Sequence, residues 1–199
     1  MVRLKVLALA ALAMVAASCS PPPRGDGPMT LNRGNGGEVK SLDPHYIDLT
    51  TEANVLGDLL TGLVTEDAAG EPIAGAATSW EVSPDAKTWT FHMRDEVWSD
   101  GVPVTSHDFV YAMRRLLEPT RAAPYAYNIW IIKNAHDVNT GKLPGTALGA
   151  EAPDDKTLIL HLEHPAPYLL ELLMHQTAYP VPRHVLEVKG DLPASANSA

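Results

Sequence analysis

Three histidines and a carboxylate near the C-terminal end, His161, Glu163, His164 and His175, are the residue types that bind zinc. Their spacing argues against a shared ion. On a β-strand, His161 and Glu163 fall on one face and His164 on the other, and Pro165 interrupts the strand directly afterwards. A solvated strand face carrying scattered histidines is the reading this spacing favours, so no metal ligand is assigned. The acidic pair Asp154-Asp155 has the residue type for general acid–base work but no partner in sequence, and Asp is also favoured in tight turns, where its side chain caps its own backbone. Trp80, Trp89, Trp98 and Trp130 could stack on an aromatic or sugar ligand, or they could fill a core. No Gly-rich phosphate loop, Gly-x-Ser-x-Gly elbow or His-Glu-x-x-His pair is present, so no catalytic residue and no cofactor is expected.

The elements that would position these groups alternate between helix and strand. Thr50 or Thr51 can cap a helix with Ala53, Leu56 and Leu60 on one face, ending before Gly62. Trp89, Phe91 and Met93 alternate with Thr90, His92 and Arg94 as in a half-buried strand, and Ser83-Pro84-Asp85-Ala86-Lys87 before them has the chemistry of a hairpin turn. Trp98-Ser99-Asp100-Gly101 reads as a second turn. Thr105-Ser106-His107-Asp108 opens as a capping box onto a helix with Phe109, Met113 and Leu116 in one stripe, and Glu118-Pro119 closes it. Thr157–Leu162 is a further strand, with Leu158, Leu160 and Leu162 on one face and Asp154-Asp155-Lys156 turning into it. Pro167 then starts a helix bearing Tyr168, Leu169, Leu172 and Leu173. This is a mixed α/β pattern with no internal repeat.

The chain of 199 residues is 45% hydrophobic, ordinary for a globular protein, and carries a formal charge of -9. Arg3 and Lys5 precede an uninterrupted apolar run, Val6 to Ala17, too short to span a bilayer but suited to a secretory signal. Removing residues 1–18 takes away those two positive charges and leaves -11 from Cys19 onward. So acidic a chain repels phosphate backbones, which excludes nucleic acid as an expected partner. Cys19 is the single cysteine, so no internal disulfide or Cys-based zinc site can form. The run Ala16-Ala17-Ser18-Cys19 resembles a bacterial lipobox, although Ala16 stands where Leu is usual. That implies a lipid attached at Cys19 and an anchor in the membrane. Residues 19–30, rich in Pro and Gly, would then be a tether.

A set of ordered segments carries a broader resemblance. Leu31-Asn32-Arg33-Gly34-Asn35-Gly36-Gly37-Glu38 with Ser41-Leu42-Asp43-Pro44-His45, Leu60-Thr61-Gly62-Leu63, Pro72–Ser83, Thr88–Arg94, Trp98–Thr105, Asp108–Tyr111, Pro124-Tyr125-Ala126, Asp154–Leu158 and Pro180–Arg183 follow in an order and spacing that resembles the extracytoplasmic oligopeptide-binding proteins of ABC importers, the family 5 bacterial solute-binding proteins. The resemblance runs from about residue 31 to 190. It implies an α/β fold, the N-terminal part of a two-lobed periplasmic-binding-protein architecture of type II with an extra subdomain, mixed sheets and flanking helices. Residues 31–59 would start the first lobe, 60–153 form the accessory subdomain, and 154–199 return to the first lobe, the chain stopping short of the second. In such receptors an extended peptide is held by backbone hydrogen bonds in a cleft between lobes, and closure signals to an ABC permease in the cytoplasmic membrane. By alignment, Asp48-Leu49-Thr50 matches the peptide-pairing strand and Tyr125 an aromatic that reaches the ligand. Asp48 could equally be a solvated loop acid and Tyr125 a packed subdomain residue. The same scaffold could also take nickel chelates, haem or sugars, or the chain could be a truncated remnant without transport activity. One residue fewer than usual separates Arg94 from Trp98, which would flip the following faces unless a bulge or turn absorbs it.

Overall fold

The structure, a computed structural model, describes residues 34–190; the signal, tether and lipid-attachment expectations, including Cys19, lie outside the described residues. The first element is α1, Thr50–Leu59. Strands β1, Val64–Glu66, and β2, Pro72–Ala74, pair antiparallel as a small ribbon. Strands β3, Ala77–Val82, and β4, Thr88–Met93, are followed by helix α2, Ser106–Leu116, and helix α3, Ala135–Asn139. Then come β5, Ala150–Asp154, β6, Thr157–His161, α4, Leu169–Leu173, and α5, Arg183–Lys189.

The main sheet has four antiparallel strands in the order β3-β4-β6-β5. Alternation along β4 buries Trp89, Phe91 and Met93, and Phe91 stands opposite the fully buried Leu158 while Trp89 faces Leu160. Phe109, Met113 and Leu116 of α2 belong to the same buried cluster, and α2 packs on β5 and β6. Helix α2 starts where expected because the Asp108 carboxylate accepts both the Thr105 N–H at 2.8 Å and its hydroxyl at 3.0 Å. The helix is docked onto the β5–β6 turn by the Ser106 N–H to the Asp155 carbonyl at 3.0 Å and by the Ser106 hydroxyl to the Asp154 carbonyl.

Several expectations need revision. Neither Thr50 nor Thr51 caps α1: Leu49 stands at the cap without a side-chain bond, and the buried residues of the helix are Glu52 and Leu56. Ala53 is only half-buried. Helix α4 begins two residues after Pro167 and spans only five, with Tyr168 exposed. Strands β3 and β4 share one sheet with β5 and β6, joining residues 77–93 to residues 150–161. The shortened Arg94–Trp98 segment is absorbed at a turn. The chain leaves β4 at Arg94, residues 96–104 form their own narrow hairpin with Val97 bridged to Pro103, and Trp98 still packs against the core.

Candidate functional site

The segment ahead of α1 is fastened from behind by a buried ion pair. Arg115 of α2 reaches Asp43 with both terminal nitrogens, at 3.0 Å to Oδ1 and 2.6 Å to Oδ2, and the two side chains are 3% and 4% exposed. Asp43 Oδ1 also accepts the His45 N–H at 3.0 Å, and the Tyr46 N–H bonds the Asp43 carbonyl at 3.1 Å, closing a turn. Arg115 Nη1 lies 2.7 Å from His45 Nδ1, so that nitrogen accepts and the ring proton sits on Nε2. Burial pushes His45 down to about 3, with the Arg115 charge acting in the same direction and Asp43 opposing. The imidazole is therefore neutral.

Beyond this clamp, Glu52 fixes the next stretch. Its buried carboxylate accepts the Lys40 N–H at 3.1 Å and the Asp48 N–H at 3.3 Å, which is why an acid occupies a buried helical position. Residues after Ile47 run extended into α1, with Leu49 at φ -122 and ψ 144. Among the described residues, the Asp48 carbonyl and the Leu49 N–H make no hydrogen bond.

This extended stretch forms one wall of a cavity of about 170 Å³, lined by Ile47, Asp48, Leu49, Thr50, Ala53, Tyr125, His175 and Gln176. All four ligand-contact candidates taken from the sequence thus border one cavity. Tyr125 arrives on the turn before a 3₁₀ segment, Ala126–Ile129, and its ring centroid is 5.1 Å from that of His175. His175 caps the 3₁₀ turn Gln176–Ala178: its Nδ1 accepts the Thr177 N–H at 3.3 Å and lies 2.9 Å from the Thr177 hydroxyl. Its proton is accordingly on Nε2, and partial burial lowers its pKa, keeping the ring neutral. The site offers a hydrogen-bond donor at His175, an aromatic face at Tyr125, an amide at Gln176 and an unpaired backbone edge. Such groups are suited to holding a ligand by hydrogen bonds and ring contact.

Ile47, Ala53, His175 and Gln176 were not foreseen as lining residues, and no local signal could have found them, because they meet only when residues 175–178 return beside α1. The histidines near the C-terminal end do not converge on one point. His161 Nε2 pairs with Glu151 at 3.3 Å, while Glu163 accepts the Asn134 N–H at 2.7 Å. The tryptophans do not form a platform: Trp80, Trp89 and Trp98 pack in or against the core, and Trp130 bonds Asn139 and stands edge-on to His136. No helix among the described residues is long and apolar enough to cross a membrane.

Comparison with known proteins finds similarity in sequence and in fold. The family described as bacterial extracellular solute-binding proteins, family 5 middle, matches residues 71–198. The periplasmic oligopeptide-binding protein OppA of Salmonella typhimurium is 48% identical over 165 residues, which are 81% of this chain and 30% of that protein. A probable deoxycholate-binding periplasmic protein, YgiS of Escherichia coli, is 38% identical over 160 residues, 79% of this chain and 30% of its own length. The crystal structure of Haemophilus influenzae OppA in complex with the peptide RPPGFSPFR superposes with a TM-score of 0.75 at 48% identity, covering 79% of this chain and 31% of that one. The chain thus spans about 30% of the length of the curated relatives it matches.

Proposed function

Because the chain belongs to the family 5 bacterial extracellular solute-binding proteins, we propose that it is the N-terminal part of an extracytoplasmic receptor that captures oligopeptides for an ABC permease. The observation that carries this reading is the convergence of Asp48, Leu49, Thr50 and Tyr125 on one cavity beside a backbone edge with unpaired groups. A peptide laid along that edge would bond backbone to backbone, the mode that tolerates many side chains, while Tyr125 and His175 would border a side-chain pocket. The relatives named for oligopeptides are 39–49% identical and the one named for deoxycholate 38%, which supports peptide as cargo over a bile acid, nickel chelate, haem or sugar. Export through residues 1–18 and lipid attachment at Cys19 complete the proposal, resting on the basic start, the apolar run and the small residues before that cysteine. Residues 31–59 and the return after the β5–β6 hairpin would belong to the first lobe, with the four-stranded sheet in the accessory subdomain.

One wall of a cleft binds weakly. Each hydrogen bond it offers nets about 0.5–1.5 kcal/mol, against an association cost of at least about 4 kcal/mol. The test is calorimetric titration with a pool of short peptides, first on this chain and then on the chain completed with the remaining portion of the Salmonella relative. The chain alone should show no micromolar binding; the folded, completed protein should bind, and Tyr125→Ala should weaken it about tenfold, or roughly 1.4 kcal/mol. Micromolar binding by the chain alone, or none by a completed protein with native circular dichroism, would overturn the assignment.

A further inference from the structure

A second cavity, of about 380 Å³, shares no lining residue with the first and lies along the C-terminal half of α2. Its size is in the range of small-molecule sites. The walls are mostly apolar, formed by Tyr111, Pro119, Val138, Leu143 and Pro144. Three arginines border it, and two have their charge answered: Arg115 by Asp43, and Arg121 by Glu118 at 2.9 Å. The third, Arg114, makes no hydrogen bond or ion pair with any described residue, and its Nε is buried without a partner. Its stem runs beside Gly145, where an added Cβ would stand 3.9 Å from Arg114 Cβ and Cγ, in ordinary contact.

Arg114 is half-buried, and a buried Nε–H without an acceptor is costly; a carboxylate answers it with charge and can take two parallel hydrogen bonds from Nε and a terminal nitrogen. Apolar walls around one such cation select an anion with an apolar body over a bare, strongly hydrated ion. We propose that this cavity binds a small apolar monocarboxylate, its carboxylate on Arg114 and its hydrocarbon portion among Tyr111, Val138 and Leu143. The site is independent of the peptide reading, since it uses none of that cavity's residues.

The test is amide NMR titration of the 199-residue chain with benzoate, benzamide and inorganic phosphate. Benzoate should shift the Gly141 and Gly145 amides, with benzamide and phosphate each at least tenfold weaker. Arg114→Met should weaken benzoate at least tenfold and Arg114→Lys less. The inference falls if benzoate shifts nothing up to roughly 20 mM, a concentration that would detect even weak binding. It falls equally if benzamide or phosphate binds as well, if the shifts centre on Tyr125 and His175, or if a folded Arg114→Met variant retains affinity. Should that variant fail to fold, the benzoate-to-benzamide ratio on the unaltered chain decides.

Discussion

The Asp43–Arg115 pair fastens the wall of the candidate peptide site to helix α2, and its removal has a calculable consequence. Asp43→Asn is the informative change, because the amide oxygen can still accept the His45 N–H while the negative charge is lost. Arg115 then keeps its charge at a side-chain exposure of 3%. Breaking one partner of a buried pair costs about 3–5 kcal/mol, a large share of the roughly 5–15 kcal/mol that holds a domain together. At about 2–4 °C per kcal/mol for a unit of this size, the thermal midpoint should drop by roughly 6–20 °C. Arg115→Met should cost a similar amount by stranding the Asp43 carboxylate. The double variant strands neither charge, so its loss should fall short of the sum of the single losses by about 2 kcal/mol or more. Urea unfolding followed by circular dichroism gives all four corners of this cycle. Single losses below about 1 kcal/mol, or additivity within about 0.5 kcal/mol, would refute the claim that the two charges depend on each other.

Two further outcomes follow from the same region and its neighbour. His45 is neutral when folded, its pKa lowered from 6.5 to about 3, so below pH 6.5 the unfolded chain binds a proton that the folded one does not. Stability should therefore be flat in this contribution above pH 6.5 and fall by about 1.4 kcal/mol per unit toward pH 3; His45→Gln should remove that slope in pH-dependent urea titrations, and an unchanged slope would contradict the assignment. Gly75 faces the backbone so closely that an added Cβ would lie 2.5 Å from the Gly62 carbonyl oxygen and 3.0 Å from that of Leu63. Gly75→Ala should cost at least about 1–3 kcal/mol by forcing those rigid groups apart, and a urea midpoint matching the parent would show that the contact yields freely.

Local physics made much of the fold legible. The Trp89-Phe91-Met93 alternation, the turn at residues 83–87, the Thr105–Asp108 box and the Leu158-Leu160 face each depend on residues within a few positions of one another, and each forms as read. Gly101 sits at φ +86 in the expected Trp98–Gly101 turn, a conformation that favours glycine. The ordered segments also carried the family and hence the four candidate contacts, Asp48, Leu49, Thr50 and Tyr125.

Tertiary structure decided which acids and cations would be buried. Glu52 lies in the first turn of α1. It is buried because it must satisfy the N–H groups of Lys40 and Asp48, which no pattern within α1 reveals. Arg115 and Asp43 are 72 positions apart, and only folding brings them to 2.6 Å. His175 seemed one of several scattered histidines until the turn after it carried the ring to Tyr125. Periodicity and turn chemistry report a residue's relation to its own element, whereas pairing, desolvation and the closing of a cavity are set by elements distant in the chain, so the local architecture and half of the first cavity's lining could be read from the sequence, and the rest of that lining and the whole second cavity could not.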